Sequence, residues 1–192
     1  MKFDIILAGV GGQGVLSVSA IIASSAMKEG LAVKQSEVHG MSQRGGEVQA
    51  NLRISDAPIA SDLIPRGSAA LVLSMEPLES LRYLEFLAED GTVITATTPV
   101  SNISTYPPLD QVLAAIGRLP HAILIDAEKL ARQAGSARAT NMVMVGAASH
   151  LLPVAFETIE HFVTTLFAAK GEKVVETTLT ALHAGRAAAE AR

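Results

Sequence analysis

Four glycines within six residues constrain this chain more than any other feature. Gly9, Gly11, Gly12 and Gly14 stand between an apolar run, Phe3 to Ala8, and a helical pattern from Val15 to Glu29. Gly9, Gly11 and Gly14 satisfy G-x-G-x-x-G in the setting where that spacing carries meaning: strand before, helix after. Glycine permits the tight turn and lets backbone N–H groups approach a phosphate. The helix start adds roughly half an elementary positive charge. Gly30 stops the helix, and Leu31 to Gln35 reads as a second strand, completing a β-α-β unit of ~30 residues. The plain alternative is a glycine turn that only packs helix on strand.

The remaining sequence extends this pattern. Val48 to Ile54 alternates apolar and polar residues, as a half-exposed strand does. Leu71–Leu73, Thr92–Ala96 and Ala122–Ile125 read as further strands. Pro77 opens a helix with Leu78, Leu81 and Leu84 on one side. SNISTYPPLD, at 101–110, is a loop of turn formers. From Ala127 onward helices dominate, with a stripe of Phe156, Ile159, Phe162, Val163, Leu166 and Phe167, then a last helix from Val174 to Ala189. Gly185 inside that helix costs roughly 1 kcal/mol relative to Ala, which points to close packing against a neighbour. The expected architecture is α/β: a Rossmann-like, mostly parallel sheet flanked by helices, with a helical C-terminal segment from about 139 to 192 in a single domain.

Composition excludes several functions. The 192 residues include no Cys, so this chain can form no disulfide, thiolate nucleophile or cysteine-ligated cluster. Net charge is −4, with no run of Lys or Arg, which disfavours nucleic acid as a partner. No stretch reaches the ~20 apolar residues of a membrane span, so a soluble, cytoplasmic protein is expected. Aromatics make up only 4 %, which leaves a core of Ala, Val, Ile and Leu. No histidine pair has metal-ligand spacing, and no G-x-S-x-G elbow or Walker A lysine is present.

Two segments carry the candidate site. Gly9, Gly11, Gly12, Gln13 and Gly14 form the phosphate cradle. Ser36 to Gly46 reads as a polar loop leaving the carboxyl end of a strand, where open α/β sheets bind ligands. Its Ser36, Glu37, His39, Ser42, Gln43 and Arg44 are the candidate contacts. His39 can exchange a proton near neutral pH, and Arg44 can hold a carboxylate or phosphate. Glu37 is also the residue that a stand-alone NAD(P)-binding protein would use on a ribose. Asp126 faces the crevice or caps the helix after it. His161 is expected to pair with Glu157, while His121, His150 and His183 are expected to be structural or at the surface.

Taken together, LAGVGGQGVL (7–16), SEVHGMSQRGGEV (36–48), EPLESLRYL (76–84), NMVMVGAAS (141–149) and ETTLTALHAG (176–185) resemble the gamma domain of the 2-oxoacid:ferredoxin oxidoreductases. Within that group the chain is most similar to the indolepyruvate:ferredoxin oxidoreductase beta subunits. The resemblance implies a subunit of a thiamine diphosphate-dependent, coenzyme A-acylating aryl-2-oxoacid oxidoreductase. It places thiamine diphosphate and iron–sulfur clusters on a large partner subunit, with ferredoxin served through the complex. The glycine loop would then line a coenzyme A crevice, and the polar loop would face the partner's active site, with His39 and Arg44 as binders. No metal and no catalytic residue is assigned to this chain, which could form a homodimer when isolated.

Overall fold

The computed structural model describes residues 1–40, 45–101 and 105–191. In chain order the strands are β1 (Lys2–Val10), β2 (Ala32–His39), β3 (Glu47–Ser55), β4 (Ala69–Ser74), β5 (Leu87–Ala96) and β6 (Ala122–Ile125). The helices are α1 (Val15–Lys28), α2 (Pro77–Arg82), α3 (Leu109–Ile116), α4 (Ala127–Gln133), α5 (Thr140–Ala148), α6 (Phe156–Phe167) and α7 (Glu172–Glu190). The six strands form one sheet in the order β2-β3-β1-β4-β5-β6. β1, β4, β5 and β6 pair in parallel, whereas β3 runs antiparallel to both of its neighbours.

The mostly parallel α/β sheet is as expected, with three differences of detail. First, β2 does not pair with β1, because β3 lies between them. Second, the expected polar loop begins as strand: Ser36 to His39 complete β2, which pairs with β3 as far as His39↔Val48. β2 is an edge strand with polar residues on both faces, so its period of two is muted. The 101–110 loop also ends sooner than expected, because Leu109 and Asp110 start α3. Its amide-free neighbour Pro108 precedes that helix, a position that needs no N–H partner.

The two sheet faces differ. On one, Ile5, Leu7, Leu52, Ile54, Leu71, Leu73 and Ile94 pack beneath α1, α5, α6 and α7. On the other, Ile6, Ala8, Val72 and Val93 meet Val112 and Ile116 of α3 and Tyr83. α5 is buried on all sides from Met142 to Ala148, which is why its sequence shows no amphipathic stripe. It crosses α7 at two glycines. A Cβ on Gly146 would lie 1.9 Å from the Leu182 carbonyl oxygen, and one on Gly185 would lie 1.9 Å from that of Val143. The neighbour expected for Gly185 is therefore the backbone of α5.

One buried ion pair stands on the open face of β3. Asp4 accepts two hydrogen bonds from Arg53, at 2.9 and 3.1 Å. Arg53 also donates to the Ser61 and Leu63 carbonyls, pinning the 56–68 segment over the strand. On α6, Glu160 rather than Glu157 has the histidine partner, which is His183 at 2.7 Å. His161 sits edge-on to Phe162 instead.

Glu79 in α2 has a buried carboxylate oxygen, Oε2, without a hydrogen-bond partner among the described residues. Burial pushes its pKa up from 4.5, and Arg82 opposes the shift. The folded state therefore holds this proton to higher pH than the unfolded chain does. Its contribution to stability is full below the unfolded value and falls as pH rises through the folded one. Urea unfolding across a pH series upward from about 4 should show that loss in the wild type, and Glu79→Gln should flatten it. Equal slopes in the two proteins would contradict the assignment.

Candidate functional site

The carboxyl ends of β1, β4, β5 and β6 meet at one end of the sheet, and the β2–β3 hairpin turns there too. Between β1 and β4 the chain changes direction across the sheet, the place where open α/β folds form a ligand crevice. A cavity of about 560 Å³ lies there, with Gly12, Gln13 and Gly14 on one wall. Met75, Thr98 and Asn141 contribute to the others.

The glycines act differently from one another. Gly14 caps α1 at φ 81°, a left-handed conformation that L-residues avoid, and no side chain caps the helix. The first turn of α1 has no acidic residue, so its exposed amides keep their positive potential. Gly9 does not line the cavity. A Cβ there would lie 3.0 Å from Gln13 Oε1 and from Val15 Cγ2, so this glycine permits close packing of strand and helix. Gln13 is a brace: its Oε1 accepts from Val10 N–H at 2.7 Å, and its Nε2 donates to the Met75 carbonyl at 3.0 Å. The side chain thus ties the end of β1 to the end of β4, and its amide is already used within the fold.

The glycine loop is joined directly to the two glycines that lead into β3. Gly11 N–H donates to Gly46 O at 2.8 Å, and Gly45 N–H donates to Gly11 O at 3.3 Å. Glu37 and His39 then line a second cavity of about 440 Å³ together with Gly11, Gly12 and Gly14. Ser36 departs from expectation, since it points to the other sheet face and accepts from Asn51 Nδ2 at 3.3 Å. The alternation of a strand, rather than a loop, separates it from Glu37. Ser42, Gln43 and Arg44 lie outside the described residues. Asp126 caps α4, accepting from Lys129 N–H at 3.2 Å.

Three features emerge only from the fold. Asn141 in the first turn of α5 rests against Gly14, its Nδ2 2.7 Å from where a Cβ of that glycine would be. Its amide has no hydrogen-bond partner among the described residues. Glu76, almost wholly buried, caps α2 and accepts from Tyr106 Oη at 2.5 Å and from Val100 N–H at 3.3 Å. It fixes the segment that roofs the crevice, and both burial and this carboxylate push the Tyr106 phenol upward. Glu128 is held below the usual carboxylate range by its hydrogen bond from Arg132. Asn141 and Glu76 lie in segments already singled out at 141–149 and 76–84, but the contacts that give them roles are long-range.

Comparison with known proteins follows this geometry. The family described as pyruvate ferredoxin/flavodoxin oxidoreductase matches residues 4–188. An indolepyruvate oxidoreductase subunit IorB from Archaeoglobus fulgidus is 38 % identical over 192 residues, covering 96 % of this chain and 94 % of the relative. The subunit of the same name from Methanothermobacter thermautotrophicus is 40 % identical over 156 residues, covering 78 % and 79 %. Among solved structures, pyruvate oxidoreductase subunit PORC from Thermotoga maritima has the same fold, with a TM-score of 0.75, 24 % identity and coverage of 97 % and 96 %. A 2-oxoglutarate:ferredoxin oxidoreductase from Magnetococcus marinus gives a TM-score of 0.79 at 22 % identity, with the whole of this chain matching 31 % of that one.

Proposed function

This chain belongs to the pyruvate ferredoxin/flavodoxin oxidoreductase family, and from that premise we propose that it is the small subunit of an indolepyruvate:ferredoxin oxidoreductase. The observation that carries this reading is a 38 % identity that spans 94 % of an indolepyruvate oxidoreductase subunit. The reaction converts an aryl-2-oxoacid and coenzyme A to an acyl-coenzyme A and carbon dioxide, with two electrons passing to ferredoxin.

The division of labour follows from the residues available. With no Cys, this chain has no ligands for a cysteine-bound cluster. Among the described residues no His, Asp or Glu cluster suits a metal ion either. On this reading thiamine diphosphate and the clusters belong to the large subunit. The crevice beside Gly12 and Gly14 suits a phosphate-bearing ligand: it has uncapped helix amides and the free Asn141 amide. Coenzyme A is the ligand we assign to it, supplying the thiol that accepts the acyl group. Glu37 and His39 would bind and orient at the partner's active site. A stand-alone nicotinamide protein is the weaker reading, because β3 separates Glu37's strand from β1.

Co-expression tests the proposal. Indolepyruvate- and coenzyme A-dependent reduction of ferredoxin or viologen should appear only when both chains are present. Full activity of the large subunit alone would refute the small-subunit role.

A further inference from the structure

Away from the crevice, Arg138, Lys170 and Lys173 converge on one concave cavity of about 440 Å³ between α1, α5 and α7. Among the described residues no carboxylate lines it. Among the described residues none of the three cations has an ion-pair partner. That is a marked local reversal in a chain of net charge −4. Elsewhere Arg66 pairs with Glu85, Arg132 with Glu128 and Arg186 with Glu190, and Arg118, which has no ion pair among the described residues, does not line this cavity.

The lining supplies more than charge. Ser17 and Thr177 line the cavity, and their hydroxyls make no hydrogen bond among the described residues. α7 begins beside it with no side-chain cap, which leaves the Glu172 and Lys173 amides without an acceptor among the described residues, while Val174 N–H donates to Gly171 O and Glu172 adds one carboxylate to the first turn. Met142, Phe167 and Val174 form an apolar wall, and Val174 is 38 % exposed. The Lys170 ammonium is held 4.8 Å above the Phe167 ring. Unpaired cations, free hydroxyl donors and an apolar wall are the recognition chemistry of a phosphorylated ligand with a flat or apolar body.

We propose that this cavity is a binding site for the phosphates of a nucleotide-sized ligand, with its apolar part against Phe167 and Val174. An acidic peptide would not need the concave wall, so a small molecule is the occupant we assign. Two sources share this chemistry: a free adenine nucleotide, or the 3′-phospho-ADP arm of coenzyme A. Only the second rests on the functional reading above. Arg138 and Asn141 line both this cavity and the crevice, so one ligand could span them.

Calorimetric titration of the full chain with pyrophosphate, ADP and 3′-phospho-ADP tests the site directly, without the partner or any activity. The wild type should bind the nucleotides, and Lys170→Glu/Lys173→Glu should weaken them by about tenfold or more. Both lysines are exposed, and an unchanged thermal midpoint verifies that the variant is folded. Failure of the wild type to bind any of the three, or equal binding by the folded variant, overturns the proposal. If the KM for coenzyme A in the two-subunit complex rises with the nucleotide Kd, the source is the cofactor arm. If it stays fixed while ADP binding is lost, the site is a separate nucleotide site. If the variant binds nucleotides as the wild type does but no longer co-purifies with the large subunit, the cavity is an acidic-segment contact and the proposal fails.

Discussion

Replacing Gly185 by Ala is expected to cost more than about 3 kcal/mol, at or beyond the upper end for overpacking a core. The added Cβ would meet the Val143 carbonyl oxygen at 1.9 Å, and a backbone atom of a buried helix has no alternative rotamer to adopt. α7 must move away from α5, opening the contact around Met142, Ala181 and Leu182, all fully buried. Natural domains have only about 5–15 kcal/mol of stability to lose. Denaturant unfolding should show the midpoint collapse, or the protein should be recovered only as aggregate. Gly146→Ala places its Cβ at the same distance from Leu182 O, so it should be comparably damaging. The double variant should cost less than the sum, because one separation of the helices relieves both clashes. Additive effects, or a mild single variant, would mean the crossing is looser than described.

Arg53→Met should cost about 3–5 kcal/mol, the penalty for stranding one member of a buried ion pair. Asp4 is 1 % exposed and would keep only Lys2, at 2.9 Å from a half-exposed position. The Ser61 and Leu63 carbonyls would lose their donor as well. Removing both charges tests the cause. Asp4→Leu combined with Arg53→Met should recover most of the loss, since two apolar side chains leave no uncompensated charge. If the double variant is as unstable as the single one, the 56–68 segment, and not the charge, sets the cost.

Local chemistry decides several of the fold's elements, and those are legible in the sequence. The apolar run before GVGGQG, the Pro77 helix start and the four residues of β6 were all readable from period, glycine and proline. β3 was readable as a strand, from its alternation of Val48, Ala50, Leu52 and Ile54 against polar residues. Its direction was not, because alternation is the same for parallel and antiparallel pairing. Ser36 was misplaced for a related reason. An edge strand with polar residues on both faces, Lys34 and Ser36 against Gln35 and Glu37, resembles a loop. At the site, glycine spacing located the turn but could not say that Gly9 packs while Gly14 caps. The role of Gln13 depends on a carbonyl 62 residues away, at Met75. Asn141 reaches Gly14 only because α5 threads between the sheet and α7.

The two hydrogen bonds between Gly11 and the Gly45–Gly46 pair have a mechanical consequence. They join the turn after β1 to the residues just before β3, more than thirty positions later, so the two form a single lip beside the crevice. The bonds are between backbone atoms, so the joint uses no side chain, and Gly45 makes its bond at φ 78°, a conformation that L-residues avoid. A ligand that presses on Gly12 is therefore coupled through two backbone bonds to the residues that lead into β3, and a displacement of Gly45 or Gly46 is returned toward the helix cap at Gly14.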